Sequence, residues 1–245
     1  MRKVALSILA HPDDAEILCA GTLVRLSQAR WDIHIATMTA GDCGTTTHSP
    51  QAISAIRTEE AKKAAALIGA TYHCLAELDG LVVYDKPTIL KIADFFRRIA
   101  PTLVFAHPRE DYMLDHEQAH LLARSASFLY AAPNISRLPI IEGSGIPHLY
   151  YCDPIGGVSP LGVPIKPTTI IDISKQQDTK LAMLATHASQ REWLRAHHGM
   201  DEYIEATKRH DADRGKLINS SAAEAFVQHR GHAYPENDIL AELFK

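Results

Sequence analysis

VALSILAHPDD, residues 4–14, is an apolar run that stops abruptly at a histidine, a proline and two acids. Unbroken hydrophobicity over Val4 to Ala10, without alternation, is the pattern of a strand buried on both faces, and Pro12 ends it. A helical pattern follows through ILCAGTLVRLSQA, with Ile17, Leu18, Leu23 and Leu26 on one stripe. Outward from this unit the alternation repeats. IHIATMTA reads as a second strand, GDCGTTTHSP as a loop, AISAIRTEEAKKAAALIG as a helix stopping at Gly69, and TYHCLAEL as a third strand. Thr88 to Ile99 repeats at helical spacing and Pro101 closes it; TLVFAH is a fourth strand, and PREDYMLD leads into a helix near His116.

Strands alternating with helices imply βαβ units. With right-handed crossovers these units build an α/β, Rossmann-like, doubly wound and mostly parallel sheet with helices on both faces. Gly- and Pro-rich residues 143–167 mark loops and a small C-terminal loop/helix subdomain around HLYYCD and TTIIDIS. Long helices are expected over about 175–196 and 201–217. One domain over 1–245 is expected, with its core in about 1–132 and residues 133–245 completing the pocket.

The 245 residues are 46% hydrophobic, enough for a sizeable core, and the formal charge of -4 is spread over both signs. No basic stripe is available for a phosphate backbone, so nucleic acid is excluded as a partner. The first residues lack a cleavage site, and no apolar run nears the roughly 18 residues of a membrane span, so a cytoplasmic protein is expected. Cys19, Cys43, Cys74 and Cys152 lack C-x-x-C spacing and read as reduced thiols. GDCGTT has neither the Lys nor the spacing of a P-loop.

Ligands of a doubly wound sheet sit beyond the carboxyl ends of its strands. Two clusters of acids and histidines fall there, one at His11 and one in HPREDYMLDH, residues 107–116. A catalytic zinc site needs about three protein ligands from histidines and carboxylates, with a position left for water. His11 and Asp14, two residues apart on a strand-to-helix turn, supply two, and His116, after another strand end, supplies the third. Alone, Asp13 or Asp14 would fit a helix cap; two such clusters at one sheet edge are not explained by capping.

AHPDDAEILCAGTL (10–23), TAGDCGT (39–45), RTEEAKKAAALIG (57–69) and DYMLDHEQA (111–119), with HASQ (187–190) as a weaker match, resemble the PIG-L/LmbE-like family of zinc-dependent N-acetylglucosaminyl deacetylases. The resemblance implies one zinc per chain on His11, Asp14 and His116, with Asp13 as general base. A carboxylate off the metal keeps lone pairs free to take a proton from the water that the metal acidifies. The implied reaction removes the acetyl group from an N-acetylated sugar or sugar conjugate. The resemblance further implies a homo-oligomer, a trimer or hexamer. An amidase acting on a thiol conjugate or another small-molecule amide, and a metal-dependent sensing module without turnover, are the alternatives.

One departure stands out. Many relatives have H-P-D-H, whose first histidine helps to stabilise the oxyanion, where this chain has Met113-Leu114-Asp115-His116. His232, or else His107, is expected to take that role. Arg57, Asp42 and His187 are expected at the substrate, and Glu16 and Asp115 behind the ligands, where carboxylates orient metal-binding histidines.

Overall fold

A computed structural model describes residues 2–198 and 202–245, without the side chains of 195–198 and 202. Strand β1 (Val4–Leu9) is buried along its whole length. It pairs in parallel with β2 (Asp32–Thr39) on one side and β4 (Leu103–Ala106) on the other. Beyond β2 lies β3 (Thr71–Glu77), and beyond β4 lies β5 (His148–Cys152), both parallel. The chain thus winds outward from β1 in both directions, which makes the β1/β4 boundary the switch point where a crevice opens.

The C-terminal half differs from the expected subdomain. Its strands join the same sheet: β7 (Ala223–Gln228) runs antiparallel between β5 and β6 (Thr169–Asp172), giving the order β3-β2-β1-β4-β5-β7-β6. HLYYC and TIID are apolar enough to be covered on both faces, so pairing onto the open edge at β4 buries them and satisfies their backbones.

Helices cover both faces. One carries α1 (Asp14–Leu18) and α2 (Ala20–Gln28), whose Leu18, Leu23 and Leu26 pack with Leu9, Phe105 and Phe226. The other carries α4 (Lys86–Ile99) and α5 (Leu114–Leu129), packing Phe96, Leu122 and Tyr130 against Leu6, Ile8 and Val104. α3 (Pro50–Ala66) starts at a Ser49 cap, whose Oγ accepts from Ala52 N at 3.2 Å. Two helices expected to be continuous are broken. α1 and α2 part at Cys19, and the long helix expected after residue 175 is α6 (Gln177–Ala185) and α7 (Ala188–His198), parted at Thr186 and His187. There the Glu60 carboxylate of α3 accepts from Ser189 N at 3.0 Å and Ser189 Oγ at 2.6 Å, starting α7 as a cap would. α8 (Glu202–Gly215) follows, and α9 (Ile239–Leu243) ends the chain. Among the described residues, no helix is long and apolar enough to cross a membrane.

Candidate active site

The turn after β1 folds on itself. Asp14 Oδ2 accepts from the His11 backbone N–H at 2.7 Å, so the acid that begins α1 is drawn back over the strand end. Between them Asp13 sits at φ 104°, a conformation a residue with Cβ rarely adopts, costing about 1–3 kcal/mol that the surrounding contacts have to offset. The consequence is divergence: neighbouring carboxylates point to different partners.

Asp14 turns towards histidines. Its Oδ2 lies 3.5 Å from His11 Nδ1 and its Oδ1 3.7 Å from His116 Nε2, the latter at the start of α5. Ligand atoms of His11, Asp14 and His116 all lie within 4.8 Å of one another, and all three residues are buried. The sequence-expected ligand set is thus one cluster. His11 turns its other nitrogen to Asp79 Oδ1 at 3.0 Å and Asp115 Oδ2 at 3.4 Å. Asp115 is itself held by the N–H groups of Gly80 and Val82, at 2.7 and 3.1 Å. His116 turns Nδ1 to Asp111 Oδ2 at 3.1 Å. A metal-binding histidine anchored through its far nitrogen by a carboxylate has its tautomer and ring plane fixed.

The electrostatics ask for a cation. Burial pulls His11 down, yet Asp115, Asp14 and Asp79 outweigh it and hold the imidazole well above its usual value. His116 is likewise raised, by Asp14 and Asp111 against burial. Burial alone would raise Asp14, but His116 and His107 hold it well below the usual carboxylate range. Two imidazoles and a carboxylate in such a field can hold a metal ion in place of protons.

Asp13 faces another way. Its Oδ2 accepts from Tyr203 Oη at 2.7 Å and lies 3.5 Å from Arg57 Nη2. Arg57 is buried and donates to Pro12 O at 2.9 Å and Gly41 O at 3.1 Å, tying α3 to the turn. A Cβ on Gly41, at φ 69°, would overlap that guanidinium. Burial raises the Asp13 carboxyl, Arg57 lowers it and Asp14 raises it; the net shift is upward.

A cavity of about 490 Å³ opens over the cluster, lined by His11, Asp13, Asp14, Asp79, Asp111, His116 and Arg57, with Met113, Tyr112 and Tyr203 beside them. Four residues expected at the chemistry lie outside it. His232 is exposed in a separate groove with Arg124, Phe128 and His229, because the turn after β7 carries it to the α5 side. His107 is fully buried under His116, ring centroids 3.9 Å apart, with Nε2 at 3.0 Å from Ala10 N and 3.1 Å from Asp14 Oδ2. It supports Asp14 from beneath. His187 is fully buried behind Asp13, 3.6 Å from Glu16 Oε1, and both are supports of the turn. Asp42 accepts from Asp79 N at 3.2 Å and lines another groove, so it positions the Asp79 loop. Arg57 does line the cavity, and Glu16 and Asp115 do stand behind the ligand turn.

Sequence reasoning missed Asp79, Asp111 and Tyr203. Asp79-Gly80 follows a strand end at the same sheet edge, which was a usable signal, and Asp111 lies within the quoted second cluster. Tyr203, in α8, gave none.

Residues 6–127 match the family described as PIG-L, GlcNAc-PI de-N-acetylase. The chain belongs to the PIG-L family. It is an enzyme of that family. Among its relatives, diacetylchitobiose deacetylase of Thermococcus kodakarensis is 29% identical over 201 residues, 77% of this chain and 70% of the relative. The 4-oxalmesaconate hydratase of Pseudomonas putida is 27% identical over 197 residues, 77% of this chain and 74% of the relative. The solved structure of N,N'-diacetylchitobiose deacetylase from Pyrococcus horikoshii superposes with a TM-score of 0.79 at 25% identity, covering 97% of this chain and 88% of that one. In this PIG-L chain the family match covers β1 to α5, which carry the His11–Asp14–His116 cluster, Asp13 and Arg57; Tyr203 and the walls from α7 and α8 lie beyond it.

Proposed function

We propose that this PIG-L protein is a zinc-dependent N-deacetylase acting on an uncharged N-acetylated sugar or sugar conjugate. The observation that carries the reading is the split of the Asp13-Asp14 pair, one carboxylate committed to the His11–His116 cluster and its neighbour held apart by Tyr203 and Arg57. A structural or purely metal-binding site has no use for a strained second carboxylate.

His11, Asp14 and His116 would hold the ion, and zinc is the match for two nitrogens and one carboxylate; it would acidify a water and polarise the amide carbonyl. Asp13 takes the proton from the attacking water, a task favoured by its raised pKa. As the new C–O bond forms and the C–N bond breaks, Asp13 returns that proton to the leaving amine, giving acetate and a free amino group. Tyr203 and Arg57 keep the carboxylate oriented through both transfers. The cavity-lining Tyr112, next to Met113 and packed edge-on against His116 at 5.3 Å, supplies the O–H donor for the carbonyl oxygen that Met113 cannot.

A hydratase relative raises a second reading, water addition to a carboxylate substrate. The charge of this cavity argues against it. Asp13, Asp14, Asp79 and Asp111 line it, and among the described lining residues Arg57 is the one permanent cation, already engaged by Pro12, Gly41 and Asp13. Beyond the zinc that the cluster would hold, an anionic substrate would meet like charge with no free guanidinium to offset it.

The test compares wild type with Asp13→Asn for bound zinc and for acetate released from N-acetylated sugars. Zinc retained in both, with turnover lower by about a hundred- to ten-thousand-fold in the variant, is expected. Equal turnover would remove Asp13 from the mechanism, and zinc with no acetate from any sugar would remove the activity.

A further inference from the structure

The cavity has a second chemistry that the reaction does not use. Beyond the carboxylates and imidazoles, its wall is mostly apolar, formed by Ile17 and Leu18 of α1, Ile155 after β5, Trp193 and Leu194 of α7, and Ala206 of α8, with Gln190 and Thr207 as polar groups on the same two helices. A bare N-acetylhexosamine is hydroxylated around its ring, and each hydroxyl taken from water without a partner costs about 1–3 kcal/mol. Aliphatic side chains offer such hydroxyls nothing. An apolar substituent in the same place gains about 25 cal/mol for every Å² it buries.

Resting on the deacetylase reading, we propose that these six side chains form an apolar subsite for an aryl or alkyl group that the N-acetylated substrate carries away from its amide. The volume, about 490 Å³, is that of sites enclosing a whole small molecule with such a group. The loop supplying Ile155 extends the surface outward. Val158, Leu161 and Val163 follow it at 39%, 86% and 59% exposure, closed into a small ribbon by the Val158–Pro164 bridge. Its base is fixed. Asp153 accepts from Arg214 Nε at 2.5 Å, and that guanidinium packs so closely on Gly157 (φ 67°) that a Cβ there would collide with it. Ile155 is therefore held at the cavity by a rigid anchor while its side chain stays half-exposed.

The experiment measures kcat/KM for acetate release by the zinc-loaded protein from N-acetylglucosamine, its methyl glycoside, and its butyl and phenyl glycosides. Phenyl and butyl glycosides are expected to exceed the free sugar and methyl glycoside by about tenfold or more. In Ile155→Ser and Trp193→Ser that ratio is expected to fall several-fold. Calorimetry of the deacetylated phenyl glycoside, a product that binds without turnover, is expected to show a negative heat-capacity change that shrinks in Ile155→Ser. Equal kcat/KM across the four compounds would overturn the subsite while leaving the deacetylase reading intact; no acetate from any of them would overturn both. A ratio unchanged in folded variants would place the preference elsewhere and overturn the assignment of these residues.

Discussion

At the scale of single residues, the orientation of His11 rests on two carboxylates behind its far nitrogen. Asp79 reaches it at 3.0 Å and Asp115 at 3.4 Å, and Asp115 is pinned by two backbone amides. Removing such a partner typically costs ten- to a hundred-fold in metal affinity, because the ring is free to rotate and its basicity drops. Asp79→Asn is thus expected to lose zinc to a competing chelator at about ten- to a hundred-fold lower chelator concentration, with the fold intact by circular dichroism. Unchanged competition would mean that His11 is oriented by packing alone. Tyr112→Phe tests the opposite side of the chemistry. If its hydroxyl meets only the developing oxyanion, kcat falls by about ten- to a hundred-fold with KM nearly unchanged; a rise in KM alone would make Tyr112 a ground-state contact. His11, Asp14 and His116 were legible because ligand chemistry restricts residue type and strand ends restrict place. Asp42 and His187 have the right chemistry in the right neighbourhood, and only packing decides that one caps a loop and the other is sealed behind Glu16.

At the scale of elements, the break between α1 and α2 has a cause 200 residues away in sequence. Glu224 of β7 accepts from Gly21 N at 2.8 Å and Thr22 N at 2.7 Å, capping α2, and is paired with the buried Lys180 at 2.9 Å; Asp211 completes the triad at 2.7 Å. Gly21 has no room for a side chain, since a Cβ would lie 2.7 Å from Ile173. The periodicity of ILCAGTLVRLSQA therefore read as one helix: the signal for its interruption is a carboxylate in AEAFVQ, a segment whose pairing is non-local. Removing one member of a buried ionic group strands the others, so Glu224→Gln is expected to cost about 3 kcal/mol, or roughly 6–12 °C in Tm. Urea unfolding of the two proteins checks this, and coincident midpoints would show that the triad contributes nothing to holding α2 and α6 on the sheet.

At the scale of the whole molecule, the N-terminal half was legible because each strand, loop and helix closes on its neighbour, while the C-terminal half completes the sheet and the cavity wall through long connections that leave little local trace. The C-terminal half also carries an acid response of the fold. His210, on α8, is buried, accepts from Gly156 N at 3.3 Å and lies 3.7 Å from Asp153, whose carboxyl burial pushes up to about 6. Burial, then Lys180 and Arg214, lowers His210 from 6.5 to about 4. A depressed histidine favours the folded state fully above its unfolded pKa and loses that contribution as pH falls from about 6.5 towards 4, since the unfolded chain binds the proton first. At pH 5 the loss relative to pH 7 is about 2 kcal/mol from this group. Asp153 works against it over part of that range, because its raised pKa adds stability as pH falls below about 6. His210→Gln, which keeps an acceptor for Gly156, removes one side of this opposition: its stability, followed by urea unfolding at pH 7 and pH 5, is expected to drop less than that of wild type. Equal drops in both proteins would mean that protonated His210 is accommodated in the folded state.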